Sequence, residues 1–174
     1  MGRHIHSAWL DGRFVFICGN GGSASIASQM VVDIVKGASL RKAARFKMIG
    51  LTDSIATITA YANDEGYETV FEEPLRNFAR PGDLVMGISG SGNSPNILRA
   101  VEWATDHDMT TWGVTGFDGG QLQQMAGHNL HVASTDMGLV ESVHLVAFHW
   151  ILDDVYARIN QVGRYESSGI RRAA

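Results

Sequence analysis

The 174-residue chain is 45% hydrophobic and 18% charged, a balance that fits one globular domain with a sizeable core. Its formal net charge of −4 offers no electrostatic footprint for nucleic acid and leaves any anionic ligand to be held by local geometry. The lone Cys18 cannot form an internal disulfide, and no apolar run approaches the roughly 20 residues that span a bilayer.

In chain order, the opening MGRHIHSAWLDGR lacks the apolar core of a signal peptide. With the unpaired cysteine, that gives the expectation of a cytoplasmic protein. Short apolar runs then recur as candidate strands at Phe14–Cys18, Lys47–Leu51, Asp83–Ile88, Thr111–Thr115 and Asn129–Ala133. Helical patterns fall between them, near Ser23–Val35, Ser54–Tyr61, Glu65–Phe78, Pro95–Asp106 and Gly119–Ala126. Largely apolar strands alternating with helices predict an α/β domain, a five-stranded parallel sheet covered on both faces. Cys18, closing the first strand, reads as an inert core thiol. Pro95 suits the first turn of a helix capped by Ser94. A last helix, Leu139–Asn160, is apolar nearly all round, which predicts burial on several sides, by subunit packing or at the centre of the core. The single domain spans 1–174 with its core at about 14–160, and the tail 162–174 is polar.

Two loops stand out. The first strand runs into "CGNGGSAS", made almost wholly of glycine, serine and alanine, and the third into "SGSGNS" before Pro95. Each joins the carboxyl end of a strand to the amino end of a helix, the edge where open α/β sheets collect ligands. Exposed N–H groups and helix dipoles make both loops anion sites, and serine hydroxyls add uncharged donors. Gly19, Gly21 and Ala24 satisfy a loose dinucleotide fingerprint, but the nearest acidic partner, Asp53, comes 34 residues after Gly19, against about 20 in that motif. No Lys-Ser or Lys-Thr follows the glycines, so a P-loop is absent. Two hydroxyl loops on one edge suit a phosphate monoester plus sugar hydroxyls better than a nucleotide.

"CGNGGSA", "TAYANDEGYETVF", "RPGDLVMGISGSGNSPN", "VTGFDGG" and "VESVHLVAFH" occur in an order that resembles the sugar isomerase (SIS) family, in its phosphoheptose isomerase branch. The resemblance covers about Phe14 to Asp154. It implies a flavodoxin-like three-layer fold, a homotetramer, frequent use of zinc, and interconversion of sedoheptulose 7-phosphate with an aldose heptose 7-phosphate through an enediol. Such a product would feed heptose biosynthesis. The reaction needs a base near C1 and C2, an acid for the carbonyl oxygen and a grip on the distant phosphate.

The grip falls to Ser89, Gly90, Ser91 and Ser94, on loop chemistry and resemblance alike. The resemblance further implies sugar contacts at Asn20, Gly21, Gly22, Asn63 and Asp64; taken alone, Asn63-Asp64 is a helix-ending turn. In the helix after the first loop, the family's His and Glu metal ligands correspond to Gln29 and Asp33, still four residues apart on one face. Asp33 inherits the role of catalytic base with roughly 1.5 Å less reach, and Gln29 offers a metal only a neutral amide oxygen. At the other end, the family's Gln and His correspond to Glu141 and His149. Glu141 is thereby implied in both substrate and metal binding, and His149 is implied as catalytic partner and metal ligand. The implied zinc site is therefore Gln29, Asp33, Glu141 and His149. Eight helical residues between Glu141 and His149 amount to roughly 12 Å of rise, so either the helix begins after Glu141 or the two serve different copies of the site. His144 reads as a packing or supporting residue, and His4, His6, His107, His128 and His131 as surface or turn residues.

About 13 residues precede Phe14, fewer than the family's usual opening helix. The expected assembly is thus a tetramer, or a dimer that still completes the site. The leading expectation is a phosphorylated-ketose isomerase acting on a sugar phosphate, with no nucleic-acid or membrane partner. Two alternatives stay open. One is a non-catalytic SIS module that binds sugar phosphate or assembles proteins, as one relative does for the bacterial replication initiator. The other is an isomerase or sensor for a different sugar phosphate.

Overall fold

The structure, a computed structural model, describes residues 1–166. Its strands are β1 (Phe14–Gly19), β2 (Lys47–Gly50), β3 (Leu84–Ser89), β4 (Thr110–Thr115) and β5 (His128–His131). They form one parallel sheet in the order β2-β1-β3-β4-β5. The expected α/β fold and parallel sheet are therefore present. The chain leaves β1 in one direction and β3 in the other, so a crevice opens between the loops that follow these two neighbours.

Alternation along the strands fills two cores. Val15 and Ile17 of β1 with Leu84, Met86 and Ile88 of β3 point to one face; Phe16, Cys18 and Val85 point to the other. The first face is covered by α1 (Gly2–Leu10), α2 (Gly22–Val32) and α7 (Met137–Asn160). The second is covered by α4 (Glu72–Phe78), α5 (Pro95–Asp106) and α6 (Gly120–Met125). A Cβ at Gly87 would stand 2.7 Å from Ile97 and 2.9 Å from Val101; the missing side chain lets α5 lie close on β3. The Cys18 thiol is fully buried and burial pushes its pKa to about 12, in keeping with an inert core thiol.

Several local expectations change. The N-terminal stretch forms α1, and His4 packs against Trp112 and His128 instead of lying free on the surface. The Glu65–Phe78 segment is not one helix. Gly66, at φ 106°, opens a 3₁₀ turn at Tyr67–Thr69, and α4 begins only at Glu72. Beyond α2 the chain widens into a π-helical stretch, Asp33–Ala38, a variation that often marks functional positions. The helix α3 (Ile55–Asp64) carries no buried residue, and its Ile55 is 78% exposed.

The last helix, α7, is capped by Asp136, whose Oδ1 accepts the Leu139 N–H at 3.1 Å. It therefore starts before Glu141, which removes the possibility that the helix begins after that residue. Val140, His144, Phe148, Leu152, Val155 and Ile159 form its buried stripe. Leu139, Val143, Val146 and Trp150 lie exposed on it. Of the expected polar tail, 167–174 falls outside the described residues.

Candidate active site

The two hydroxyl loops converge as their positions require. Asn20, Gly21, Gly22 and Ser23 after β1, and Ser89, Gly90, Ser91 and Ser94 after β3, line a cavity of about 310 Å³ together with Ile88, Met137 and Glu141. Among the described residues, no Lys, Arg or His contributes to this lining. Gly21 caps α2 at φ 55°, a conformation costly for residues with a Cβ, and no side chain caps the helix. The positive end of α2 thus faces the cavity directly.

The second loop is braced from behind. Gly92 N–H donates to the Ser89 carbonyl at 2.9 Å, Gly116 N–H to the Gly90 carbonyl at 2.8 Å, and Leu122 N–H to the Gly92 carbonyl at 2.9 Å. The Asn93 amide spans the same gap, donating to the Ser91 carbonyl and accepting from Gln121 N–H. Ser94 occupies the cap position of α5, but its hydroxyl makes no capping hydrogen bond; it lies 3.0 Å from Ser89 Oγ. The expected cap has become part of the cavity wall. This is a cradle of hydroxyls and backbone N–H groups, donors of the kind that suit an anion.

Glu141 closes the cradle. A Cβ on Gly22 would sit 2.6 Å from the Glu141 carboxyl carbon, so a side chain there would displace the glutamate. Asn63 and Asp64 are elsewhere. Both are exposed, Asn63 Nδ2 donates to Asp64 Oδ1 at 2.7 Å, and Asp64 lines a separate groove of about 480 Å³ between α3 and α4. One chain does not bring them to the cradle.

The remaining residues form a second cluster, where α2 meets α7. Gln29 Nε2 donates to Asp33 Oδ2 at 3.0 Å, and His149 Nε2 stands 3.7 Å from the same oxygen. Ser25, Ile26, Gln29, Leu145 and His149 line a cavity of about 390 Å³ there. Between the clusters sits His144, fully buried, donating from Nε2 to the Thr115 carbonyl at 3.0 Å. That bond leaves Nδ1 as the bare, unpartnered nitrogen. Burial, the largest influence, holds the His144 pKa below its usual value against the opposing pull of the Thr115 carbonyl.

For the expected zinc ion, Asp33 and His149 are full-strength donors and Gln29 a weak one. Glu141 lies with the cradle, and among the described residues no three His, Cys, Asp or Glu side chains gather to hold a metal. One chain therefore does not fit a closed four-ligand zinc site, and no chemical step is routed through metal. The sequence alone did not point to Ser23 and Met137 in the lining, to the bracing Asn93, or to the buried Asn96, whose amide pairs with that of Asn20. A polar residue directly after a helix-opening Ser-Pro was the available signal for Asn96.

Residues 1–116 match the SIS domain. The chain belongs to the SIS domain family. Within the SIS family, it is 37% identical over 148 residues to the phosphoheptose isomerase of Crocosphaera subtropica, covering 85% of this chain and 75% of that protein. A solved phosphoheptose isomerase from Neisseria gonorrhoeae superposes with a TM-score of 0.82 at 29% identity, over 92% of this chain and 83% of that one. The corresponding enzyme from Francisella tularensis gives 0.81 at 30% identity, over 88% and 81%. The three-layer arrangement of this SIS domain is thus shared with phosphoheptose isomerases. No helix of the described residues is long and apolar enough to cross a membrane.

Proposed function

We infer that the chain is an aldose–ketose isomerase of the phosphoheptose isomerase kind, converting sedoheptulose 7-phosphate to an aldose heptose 7-phosphate. The observation that carries this is the cation-free cradle of Ser89, Ser91, Ser94 and the open end of α2. The similarity to phosphoheptose isomerases over most of both chains supports the substrate.

Asp33 is the base and His149 the partner acid. The Asp33 carboxylate takes a proton from C1 of the ketose. The C1–C2 double bond forms as the C2 carbonyl electrons move to oxygen, and that oxygen takes a proton from His149. Asp33 then returns its proton to C2 while the O1 proton passes to His149, which yields the aldehyde and restores both residues. No redox partner is needed, because oxidation at C1 balances reduction at C2.

The apolar residues left exposed on α7 and α3 support assembly with further copies of the chain. In that assembly, Glu141 and His149 serve different copies of the site. Their separation on one rigid helix, roughly 12 Å of rise, supports this division. A second reading, a sugar-phosphate-binding module without catalysis, draws on the Gln29 amide that already occupies the Asp33 oxygen facing His149.

Proton NMR of sedoheptulose 7-phosphate with the protein in deuterated water separates the two. Deuterium at C2 of an aldose product supports isomerisation; saturable binding without exchange supports the module. Metal content of wild type and Glu141→Gln tests the expected zinc. Stoichiometric metal in wild type that is lost in the variant supports an ion shared with Glu141, and a metal-free active enzyme overturns it.

A further inference from the structure

Asn20 lines the cradle, yet most of its hydrogen-bonding capacity is already used behind it. Its amide pairs reciprocally with Asn96, which is 1% exposed: Asn20 Nδ2 donates to Asn96 Oδ1 at 2.9 Å, and Asn96 Nδ2 donates to Asn20 Oδ1 at 3.0 Å. The direction of this exchange follows from a backbone group. The Ile97 N–H, shared with the Ser94 carbonyl, also points at Asn96 Oδ1 at 3.0 Å. An N–H requires an oxygen there, so the Asn96 amide cannot be turned over without setting donor against donor. That orientation places the Asn96 NH₂ on Asn20 Oδ1. The Tyr67 hydroxyl, 2.9 Å from the same oxygen, must then donate as well.

Both lone pairs of Asn20 Oδ1 and one of its two N–H groups are consumed. The second N–H is what remains. We propose that Asn96 and Tyr67 are positioning residues that make Asn20 a one-way hydrogen-bond donor, able to meet only a lone pair on a ligand oxygen. They also tie the loop after β1 to the first turn of α5, so the two halves of the cradle keep one spacing. A free asparagine would accept or donate according to the ligand; this one selects an acceptor. The proposal rests on the sugar-phosphate reading only for the identity of that oxygen.

The test is Asn96→Asp, with Asn96→Leu and Tyr67→Phe beside it. An ionised carboxylate at 96 still accepts from Ile97 and Asn20 but cannot donate to Asn20 Oδ1; protonated, it can. Expected is a roughly tenfold or larger deficit in kcat/KM for sedoheptulose 7-phosphate at pH 8, narrowing only as the pH falls toward the usual aspartate pKa near 3.9. Asn96→Leu keeps its deficit at every pH. Tyr67→Phe raises KM with kcat nearly unchanged. Wild-type kcat/KM in a folded Asn96→Asp protein at pH 8 overturns the proposal. So does a deficit that ignores pH and follows only lost thermal stability. Side-chain amide NMR of ¹⁵N-labelled protein separates this from the reading it rests on. If wild type fails to turn over sedoheptulose 7-phosphate, the isomerase reading falls and the amide protons decide alone. Exchange-protected Asn20 and Asn96 amides in wild type, with the Asn20 protection lost in Asn96→Leu, keep the lock. Freely exchanging amides in wild type overturn it.

Discussion

His149 Nε2 stands 3.7 Å from Asp33 Oδ2, across the contact between α7 and the point where α2 widens into its π-helical stretch. That distance is longer than a formed hydrogen bond, and such pairs commonly tighten when substrate binds. Asp33→Asn removes the proposed base and His149→Ala the proposed acid. Each is expected to lower kcat by roughly 10²–10⁴-fold. Because the cradle is built from other residues, KM should change far less. Steady-state kinetics on both variants decides it: a large rise in KM with preserved kcat would move the chemistry away from this pair.

Acid should expose a structural role for Glu72. Its carboxylate, 6% exposed, meets Arg76 at 2.6 Å and Arg99 at 2.7 Å and ties α4 to α5. Burial alone would raise its pKa, but the hydrogen bonds and charges of the two arginines outweigh burial and hold it below the ordinary value. A depressed folded-state pKa means stability present above the unfolded value near 4.3 and lost as pH falls through the folded one. Glu72→Gln should therefore be less stable than wild type at pH 7, and the gap should close as both are taken to strongly acidic pH. Denaturant titrations at a series of pH values measure the gap; one independent of pH would contradict the assigned cause.

Periodicity and loop chemistry made much of this legible in advance. The strand runs from Phe14, Lys47 and Thr111 and the helix from Pro95 could be read because apolar alternation and a Ser-Pro start are local signals. The cradle was legible because both its loops carry their donors in the backbone and in adjacent serines. What stayed hidden depends on long-range pairing. Asn96 looks like any helix residue until its partner, 76 positions earlier, is placed beside it. The widening at Asp33 and the displacement of Asn63-Asp64 toward the α3–α4 groove follow from packing that no single segment encodes.

Near neutrality the buried His144 should govern the pH response. Burial lowers its folded-state pKa, so the unfolded chain binds the proton first as pH drops below about 6.5. Stability is then expected to fall from that pH down to the folded pKa. His144→Gln retains an N–H for the Thr115 carbonyl but cannot titrate. Its thermal midpoint should fall less than that of wild type between pH 7.5 and 5.5. His4, whose pKa is lowered chiefly by burial, adds a slope of the same sign to both proteins. Parallel slopes in the two would remove His144 as the cause.

Gly92 is where the cradle has least tolerance. Its φ of +67° penalises any side chain, and a Cβ would strike the Gly119 carbonyl and come within 2.9 Å of Gly120 N. The left-handed conformation alone costs an L-residue about 1–2 kcal/mol. The backbone contact adds to that by pushing the Ser89–Ser94 loop off its brace. Gly92→Ala should lower the thermal midpoint by at least about 2–8 °C and weaken phosphate-ester binding more than a stability loss explains. Calorimetric titration with sedoheptulose 7-phosphate well below the midpoint separates the two effects.

The exposed apolar residues of α7 mark the proposed seam between copies of the chain. Trp150 is 73% exposed, Leu139 51%, Val146 50% and Val143 38%, and their spacing of four, three and four residues sets them on one side of the helix. Large apolar side chains in such a line are costly to leave in water, at roughly 25 cal/mol per Å², so a second copy is the proposed cover. Trp150→Asp places a charge in that seam while touching none of the buried stripe, so the monomer's fold should survive. Light scattering coupled to size exclusion is expected to show an oligomer for wild type and a smaller species for the variant. If Glu141 and His149 serve different copies, the dissociated variant should also lose isomerisation while circular dichroism stays unchanged. Full activity from a monomeric Trp150→Asp protein would place every catalytic group within one chain.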